Sequence, residues 1–255
     1  MQRANSNILI VIPARYASTR FPGKPLALIA GVSLIERVYR LCRRVGNVAG
    51  VVVATDDRRI QRHVRDFGGE VMLTRRNHRS GTDRVAEVAR RHACGIVINV
   101  QGDEPLLDPR VITRLGEALR RQPRLSMATL CHPIRTAAEF HDPNAVKVVL
   151  DSAGDALYFS RAPIPHIGKF RISDFGFRIF QRHIGIYAYR RDFLLRYVRW
   201  PQSRLEKIER LEQLRALEHG ARIRVLKTAR AAIGVDVPAD VVRVEQLLKR
   251  GPYGL

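Results

Sequence analysis

The first half of the chain alternates short, fully apolar segments with longer amphipathic ones. Apolar segments of this length predict strands buried on both faces, and the amphipathic segments predict helices. The predicted strands are 8–12, 51–54, 71–74, 96–100 and 127–131, and the predicted helices are 34–45, 58–67, 83–92 and one that begins at Asp108-Pro109. Repeated βα units of this kind need a parallel sheet with helices on both faces. The sequence therefore predicts an α/β fold.

The pattern changes after Pro133. The segment "AVKVVLDSAGDALYFS" predicts two strands joined by a glycine-containing turn, which is a hairpin rather than a βα unit. The elements predicted after it are a strand at 184–189, helices at 192–199 and 204–218, a strand at 223–226 and a helix at 239–249. We therefore expect one domain over 1–255, with an antiparallel insertion at about 132–190.

The net charge of +21 is the most unusual bulk property and raises the possibility of nucleic-acid binding. Only six of the 45 cationic residues are lysine, and the arginines are spread along the whole chain without a basic tail. No repeated aromatic and basic pattern is present for stacking bases. An arginine-rich codon bias explains the charge better, although a nucleic-acid-binding module remains the alternative from a different class.

Cysteine usage and hydropathy favour a reduced, cytoplasmic location. Cys42, Cys94 and Cys131 lie far apart in apolar surroundings, which predicts free thiols in the core. No apolar run approaches the roughly 20 residues that span a bilayer. The first residues, MQRANSN, contain no apolar signal region, so we expect neither secretion nor membrane insertion.

Four polar loops follow predicted strands, and ligands of open α/β sheets bind beyond the carboxyl ends of strands. These loops are 15–24, 55–57, 101–104 and 234–236. The first contains Arg15, Arg20 and Lys24, and guanidinium and ammonium groups favour phosphate. No G-x-G-x-x-G fingerprint occurs, and the surroundings of Gly23-Lys24 do not match a P-loop. This loop is therefore predicted to bind phosphate in another way.

Acidic residues occupy two of the other loops. Asp103 follows Gly102 at a strand end, and Asp236 has a similar setting near the end of the chain. Either one alone is as typical of a turn or a helix cap. Together with a phosphate loop they indicate a Mg²⁺ site shared with substrate phosphates, and metal-assisted transfer at phosphorus.

Further candidates carry weaker signals. "RSGTDR" at 79–84 contains a hydroxyl, a glycine and cations just before a helix, and a plain cap by Thr82 explains it equally well. His183 and Tyr187 lie on one face of a predicted strand, but an isolated histidine there is usually structural. Glu212 and Gln213 have the pattern of ordinary helix surface residues.

A set of motifs in chain order resembles one family closely. They are "IPARYASTRFPGKPL", "ATDD", "SGTDR", "INVQGDEP", "PNAVKVV", "ALYFSRAPIP", "RHIGIYAYR", "LEQLR" and "GVDVPADVVRVE". The family is that of the 3-deoxy-manno-octulosonate (KDO) cytidylyltransferases, or CMP-KDO synthetases. The resemblance implies a Rossmann-like, glycosyltransferase-A-like fold with a mostly parallel mixed sheet. It also implies Mg²⁺ dependence and a homodimer formed through the inserted antiparallel region. The reaction would join CTP and KDO to give CMP-KDO and pyrophosphate, for lipopolysaccharide synthesis.

The same resemblance implies residue roles. The implied triphosphate site consists of Arg15, Arg20 and Lys24, with Ala14 and Ser18 beside it. The implied cytosine and ribose contacts are Ser80, Arg84 and Gln101, and the implied Mg²⁺ ligands are Asp103 and Asp236. The implied sugar-acid contacts are Arg161, His183, Tyr187, Glu212 and Gln213. Arg15, Lys24, Asp103 and Asp236 would be the catalytic groups.

The family pattern leaves the acid sugar partly open. Asp83 stands where glutamate is expected, and Ala232-Ile233 replaces Gly-Thr. An amino analogue of KDO or a nonulosonic acid is therefore the alternative substrate.

Overall fold

The computed structural model describes residues 7–17, 20–166, 168, 176, 179–229 and 233–249. Two compact units can be distinguished: Met1–Gly116 with Ala232–Leu255, and Glu117–Ala231. The prediction of one domain with an insertion at about 132–190 stays a prediction.

The first unit contains a parallel sheet, as the apolar segments predict. The strands of that sheet are β1 (Ile8–Ala14), β4 (Gly50–Thr55), β5 (Val71–Leu73) and β6 (Ile96–Asn99), and a separate antiparallel pair consists of β2 (Leu28–Ile29) and β3 (Val32–Ser33). β1 lies between β6 and β4, β5 follows β4, and all these pairs are parallel. Most residues of β1, β4 and β6 are buried, as expected for strands covered on both faces. Ala14 pairs with Thr55, so the loops after β1 and β4 leave the same edge of the sheet.

Helices follow these strands at the predicted places. They are α1 (Leu34–Arg43), α2 (Arg58–Asp66), α3 (Gly81–Arg91) and α4 (Pro109–Arg121). Ser33 caps α1 by accepting a hydrogen bond from the Glu36 N–H at 3.3 Å. Asp57 caps α2 in the same way through the Arg59 N–H. The 3₁₀ helix Lys24–Leu26 and the small β2–β3 hairpin were not predicted, because segments of two or three residues give no periodic signal.

The second unit is mixed, with more antiparallel than parallel pairs. Its elements are β7 (Met127–Pro133), α5 (Ala137–His141), β8 (Lys147–Leu150), β9 (Ala156–Ser160), β10 (Gln181–Arg190), α6 (Arg191–Tyr197), α7 (Arg204–Glu209), α8 (Gln213–Glu218) and β11 (Ile223–Lys227). β8 and β9 form the predicted antiparallel hairpin. β10 is antiparallel to β7 and β8, and β11 is parallel to β7. The last helix, α9 (Pro238–Lys249), belongs to the first unit.

The predicted single helix at 204–218 is wrong, because α7 and α8 are separate. Arg210 has a left-handed backbone (φ 55°) and ends α7. The carbonyl of Glu209 accepts a hydrogen bond from Arg161 Nε at 2.9 Å, and that of Glu212 accepts one from the Tyr197 hydroxyl at 2.6 Å. These tertiary hydrogen bonds satisfy carbonyls that a continuous helix would use itself, so the break has no local sequence signal.

Within the residues that the structure describes, no helix is long and apolar enough to cross a membrane.

Candidate active site

Two carboxylates and two cations converge in the first unit. Lys24 Nζ lies 2.6 Å from an oxygen of Asp103 and 3.6 Å from an oxygen of Asp236. Arg20 Nη2 lies 3.1 Å from the same oxygen of Asp236. Both acidic side chains therefore surround one ammonium group, although the residues are far apart in the chain. The convergence that the loop positions predict is present.

Main-chain contacts hold the loops of the two aspartates together. The Val235 N–H donates to the Asp103 carbonyl at 2.8 Å. A Cβ atom at Gly102 would lie 3.1 Å from the Pro13 carbonyl oxygen, so glycine allows this turn to pack against the end of β1. The Asp240 carboxylate accepts from the Asp236 N–H at 2.8 Å and fixes the second loop at the start of α9. The fold therefore defines the relative position of the two acidic side chains.

The donor set fits a divalent cation shared with phosphates. Asp103 and Asp236 provide carboxylate oxygens, which are the ligands that Mg²⁺ prefers, and both already lie against a cation, the Lys24 ammonium. Among the described residues no group of three or more acidic, histidine or cysteine side chains could hold a metal ion. If a metal ion binds here, Asp103 and Asp236 would be its ligands from the chain, and phosphate oxygens would have to complete the coordination.

The rest of the cationic loop, residues 15–24, is only partly described. Arg15 Nη2 donates to the His78 carbonyl at 2.8 Å, which joins the loop after β1 to the segment before α3. Ala14 is buried at the end of β1. Ser18 lies outside the described residues, so its predicted place beside the nucleotide stays a prediction.

Tyr16 packs against the turn that precedes Lys24. Gly23 has φ +73°, its N–H donates to the Tyr16 carbonyl at 2.9 Å, and a Cβ atom there would lie 3.2 Å from the Tyr16 ring. Arg59 lies on the ring of Tyr16, 3.3 Å from its centroid, and bonds to both carboxylate oxygens of Asp57. The start of α2 therefore supports the turn that carries Lys24.

The predicted base and ribose contacts lie around α3. Ser80 caps this helix in a capping box: its hydroxyl accepts from the Asp83 N–H at 3.2 Å, and Asp83 accepts from the Ser80 N–H at 3.0 Å. Asp83, which stands where the family resemblance implies glutamate, is therefore used in the cap. Gln101 donates to the Asn99 side chain at 3.3 Å.

Arg84 is completely buried. Its Nη2 lies 3.0 Å from Asp56, and its Nη1 bonds to Thr74. Burial lowers the pKa of Arg84, while the Asp56 charge acts in the opposite direction. Nε makes no hydrogen bond within the described residues. The structure thus gives Arg84 an anchoring role beside Asp56, and its predicted nucleotide contact stays a prediction.

His183 and Tyr187 lie together on β10 in the second unit, as the strand pattern predicts. Their ring centroids are 5.4 Å apart. Burial lowers the pKa of His183 to about 3, so the imidazole is neutral near pH 7. Burial and the Glu212 charge raise the pKa of Tyr187, so the phenol is protonated.

The hydrogen bonds of Thr129 assign the tautomer of His183. Thr129 Oγ1 has one proton and lies 2.8 Å from the Ile186 carbonyl and 3.1 Å from the Ile184 carbonyl, so it donates to a carbonyl. Its oxygen then accepts the proton of His183 Nε2 at 2.9 Å. His183 Nδ1 is consequently unprotonated, and it is available as a hydrogen-bond acceptor.

Arg161 is held firmly at the end of β9. Its Nε donates to the Glu209 carbonyl at 2.9 Å, and its Nη1 donates to the Pro143 carbonyl at 3.0 Å. The Glu209 carboxylate accepts from the Arg161 N–H at 2.9 Å. Nη2 has no hydrogen bond to a described residue. The edge formed by Nε and Nη2 is therefore not free, and a ligand would meet the N–H groups of Nη2 and the second N–H of Nη1.

The interpretation of Gln213 as a helix surface residue is wrong. This residue is buried, and among the described residues nothing accepts from its Nε2. Glu212 is partly buried, and its carboxylate lies 3.8 Å from Arg215. A buried amide without a partner is unusual in a folded protein and indicates a ligand contact.

Two functional-looking residues were missed from the sequence. Thr129 orients His183, and Glu209 holds both the main chain and the side chain of Arg161. Their partners lie 54 and 48 residues away, so no local pattern could have identified them.

Comparisons with known proteins agree with the motifs. A family model described as "Cytidylyltransferase" matches residues 9–223. A 3-deoxy-manno-octulosonate cytidylyltransferase of Syntrophotalea carbinolica is 52% identical over 95% of this chain and 99% of that protein. One from Escherichia coli is 46% identical over 95% of this chain and 96% of that protein. The chain belongs to the 3-deoxy-manno-octulosonate cytidylyltransferase family.

Solved structures agree with membership of the 3-deoxy-manno-octulosonate cytidylyltransferases. A CMP:2-keto-3-deoxy-manno-octonic acid synthetase complexed with CTP matches with a TM-score of 0.90 and 46% identity, over 96% of this chain and 99% of that one. A cytidylyltransferase from Leptospira borgpetersenii matches with a TM-score of 0.65 and 14% identity, which shows the fold alone. The predicted α/β nucleotidyltransferase fold is confirmed.

Proposed function

We propose that the chain joins CTP and KDO to give CMP-KDO and pyrophosphate, which activates KDO for lipopolysaccharide synthesis. The observation that carries this proposal is the convergence of Asp103, Asp236, Lys24 and Arg20 at one end of the parallel sheet. Membership of the 3-deoxy-manno-octulosonate cytidylyltransferase family supports the choice of both substrates.

The charges in this cluster support a need for a divalent cation. Two cations and two carboxylates sum to zero, whereas a nucleoside triphosphate carries several negative charges. Arg15 adds one more positive charge in the same loop. Mg²⁺ held by Asp103 and Asp236 would offset phosphate charge and lower the pKa of a nearby hydroxyl.

The side chains of the first unit would bind and orient the triphosphate. Arg15 and Arg20 donate N–H groups in a planar arrangement suited to phosphate oxygens, and Lys24 adds a point charge. Negative charge grows on the β- and γ-phosphates as pyrophosphate leaves, so these cations stabilise the transition state more than the bound CTP.

The reaction itself needs no nucleophile from the protein. The anomeric oxygen of KDO attacks the α-phosphorus, a new P–O bond forms, and the bond from that phosphorus to the bridging oxygen breaks. Pyrophosphate leaves with the electron pair, and the hydroxyl proton passes to water. Holding the two substrates in line supplies much of the acceleration in such transfers.

The side chains of the second unit would select an acid sugar. The remaining guanidinium N–H groups of Arg161 suit the KDO carboxylate, His183 Nδ1 suits a sugar hydroxyl that donates, and Gln213 Nε2 suits an oxygen that accepts. Tyr187 and Glu212 lie close enough to His183 and Gln213 to complete the polar lining. A neutral sugar would leave Arg161 without a counterion.

We further propose that the enzyme is a cytoplasmic homodimer. CTP is a cytoplasmic nucleotide, which supports that location. In the described part of the second unit β9 pairs only with β8, so it is an edge strand, and Leu157 on it is 60% exposed. An exposed apolar edge supports pairing with another copy in the hairpin region.

Product formation from pure substrates tests the function. The protein is incubated with CTP, Mg²⁺ and KDO, and CMP-KDO and pyrophosphate are measured by ³¹P NMR; parallel reactions contain UTP or ATP, a neutral sugar, an amino analogue of KDO, or a nonulosonic acid. We expect equal amounts of both products with CTP and KDO. An analogue that reacts when KDO does not would overturn the sugar assignment. Tight, salt-dependent nucleic-acid binding without pyrophosphate release would overturn the enzyme assignment.

A further inference from the structure

Lys147 is a buried cation that the reaction described above does not use. It begins β8, and its side chain has no exposed surface. Among the described residues no carboxylate lies within ion-pair distance of its ammonium group. Desolvation lowers the pKa of Lys147, while the charges of Asp142 and Glu209 act in the opposite direction. Burying an ammonium without a carboxylate is costly, which suggests that this one has a specific role.

Two main-chain carbonyls accept hydrogen bonds from the ammonium group. Lys147 Nζ lies 2.9 Å from the Asp142 carbonyl oxygen and 2.7 Å from the Arg161 carbonyl oxygen. The first carbonyl lies directly after α5, and the second directly after β9. One side chain therefore joins two segments that are separate in sequence.

Arg161 joins the same two segments through its own side chain, which extends from the end of β9 to the segment after α5. Its Nη1 reaches the Pro143 carbonyl, next to the Asp142 carbonyl that Lys147 binds. Lys147 thus binds the main chain of Arg161, and the Arg161 side chain binds the same segment after α5 that Lys147 binds. A shift of either cation would move the Arg161 guanidinium.

We propose that Lys147 is a positioning residue for the acid sugar, acting through Arg161. This inference rests on the proposed function of the chain, in which Arg161 pairs with the sugar carboxylate. Because Nε and Nη1 bond to main-chain carbonyls, the direction of the remaining guanidinium N–H groups depends on where the main chain of Arg161 lies. The buried charge of Lys147 also makes this region more favourable for an anion.

Steady-state kinetics of Lys147→Met tests the role, with Lys207→Met as the matched control that removes an exposed ammonium from α7 in the same unit. We expect the KM for KDO to rise about tenfold or more, since misplacing a binding group by about 1 Å has effects of that size. The KM for CTP should stay within about twofold in both variants. An unchanged KM for KDO, or equal rises for both substrates, would overturn the proposal.

A double-mutant cycle separates positioning from general structural support. If Lys147 acts through Arg161, then Lys147→Met should change the KM for KDO less than about twofold in an Arg161→Ala background. An undiminished effect in that background would overturn the proposal.

Two further results are interpreted as follows. If Lys147→Met does not fold, Lys147→Gln, which keeps one donor group, is judged by the same two criteria. If the wild-type protein makes no CMP-KDO but uses another acid sugar, the proposed function fails in its substrate, and the cycle is measured with the sugar that reacts.

Discussion

At the scale of single residues, the environment rather than the residue type determines what His183 can do. An imidazole near pH 7 usually titrates, but burial lowers the pKa of His183 to about 3 and Thr129 fixes its Nε2 proton. The side chain is therefore a neutral acceptor at Nδ1 rather than an acid or a base. This agrees with a reaction that needs no protein nucleophile.

The low pKa of His183 predicts a pH dependence of stability. Because the unfolded-state pKa is about 6.5 and the folded-state value is lower, the unfolded chain binds the proton more readily. The stabilisation is complete above pH ~6.5 and is lost as pH falls towards the folded-state pKa, by at most about 1.4 kcal/mol per pH unit. His183→Gln removes this contribution, so its free energy of unfolding should fall less steeply with decreasing pH. Urea unfolding at several pH values measures both slopes, and equal slopes would contradict the assignment.

The sequence predicted that the cationic loop and the two aspartates lie close together, because each follows a predicted strand and parallel strands end at one edge of the sheet. It could not predict that Gln213 is buried, since the segment "LEQLR" has the pattern of a surface helix. Burial there depends on the break at Arg210, which depends on Arg161 and Tyr197. Such tertiary hydrogen bonds leave no local signal.

At the scale of elements, the turn before Lys24 connects local backbone geometry with the proposed nucleotide site. Gly23 adopts the left-handed region and lies against the Tyr16 ring, and Arg59 at the start of α2 packs on the same ring. Helix α2 thus supports the turn from outside the cluster, since within the described residues it makes no ion pair with Asp103 or Asp236.

Two matched glycine substitutions separate backbone strain from loss of function. Gly23→Ala and Gly31→Ala place a Cβ atom at φ +73° and +76°, so backbone strain alone should cost each variant about 1–2 kcal/mol of stability. Only Gly23 has the Tyr16 ring at 3.2 Å, whereas nothing lies within 4 Å of Gly31. We expect the KM for CTP to rise about tenfold in Gly23→Ala alone. Equal KM values in the two variants would show that this turn does not position Lys24.

At the scale of the whole molecule, regular alternation made the fold class predictable. Every predicted strand of the first half is present in the structure within a few residues. The short elements Lys24–Leu26, β2 and β3 were missed because they are too short to show a period. The net charge of +21 did not help to predict the site, where the two cations Arg20 and Lys24 are balanced by two carboxylates.

The proposed dimer predicts a molar mass. Light scattering on a size-exclusion column should give about twice the 29.0 kDa of one chain. Leu157→Lys on the exposed edge strand β9 should shift the mass towards that of one chain, because a charge would be placed in the interface. A wild-type monomer at micromolar concentration would contradict the assembly.

The central claim is that Asp103 and Asp236 act together beside a triphosphate, and pyrophosphate release by Asp236→Asn tests it most directly. In the presence of CTP, KDO and Mg²⁺ we expect turnover to fall about 100-fold or more, because one of the two carboxylates proposed to hold the Mg²⁺ ion is replaced by a neutral amide. Asp192→Asn, which alters an exposed aspartate of α6, serves as the control and should keep wild-type turnover. Turnover near that of the wild type in a folded Asp236→Asn protein would contradict the claim.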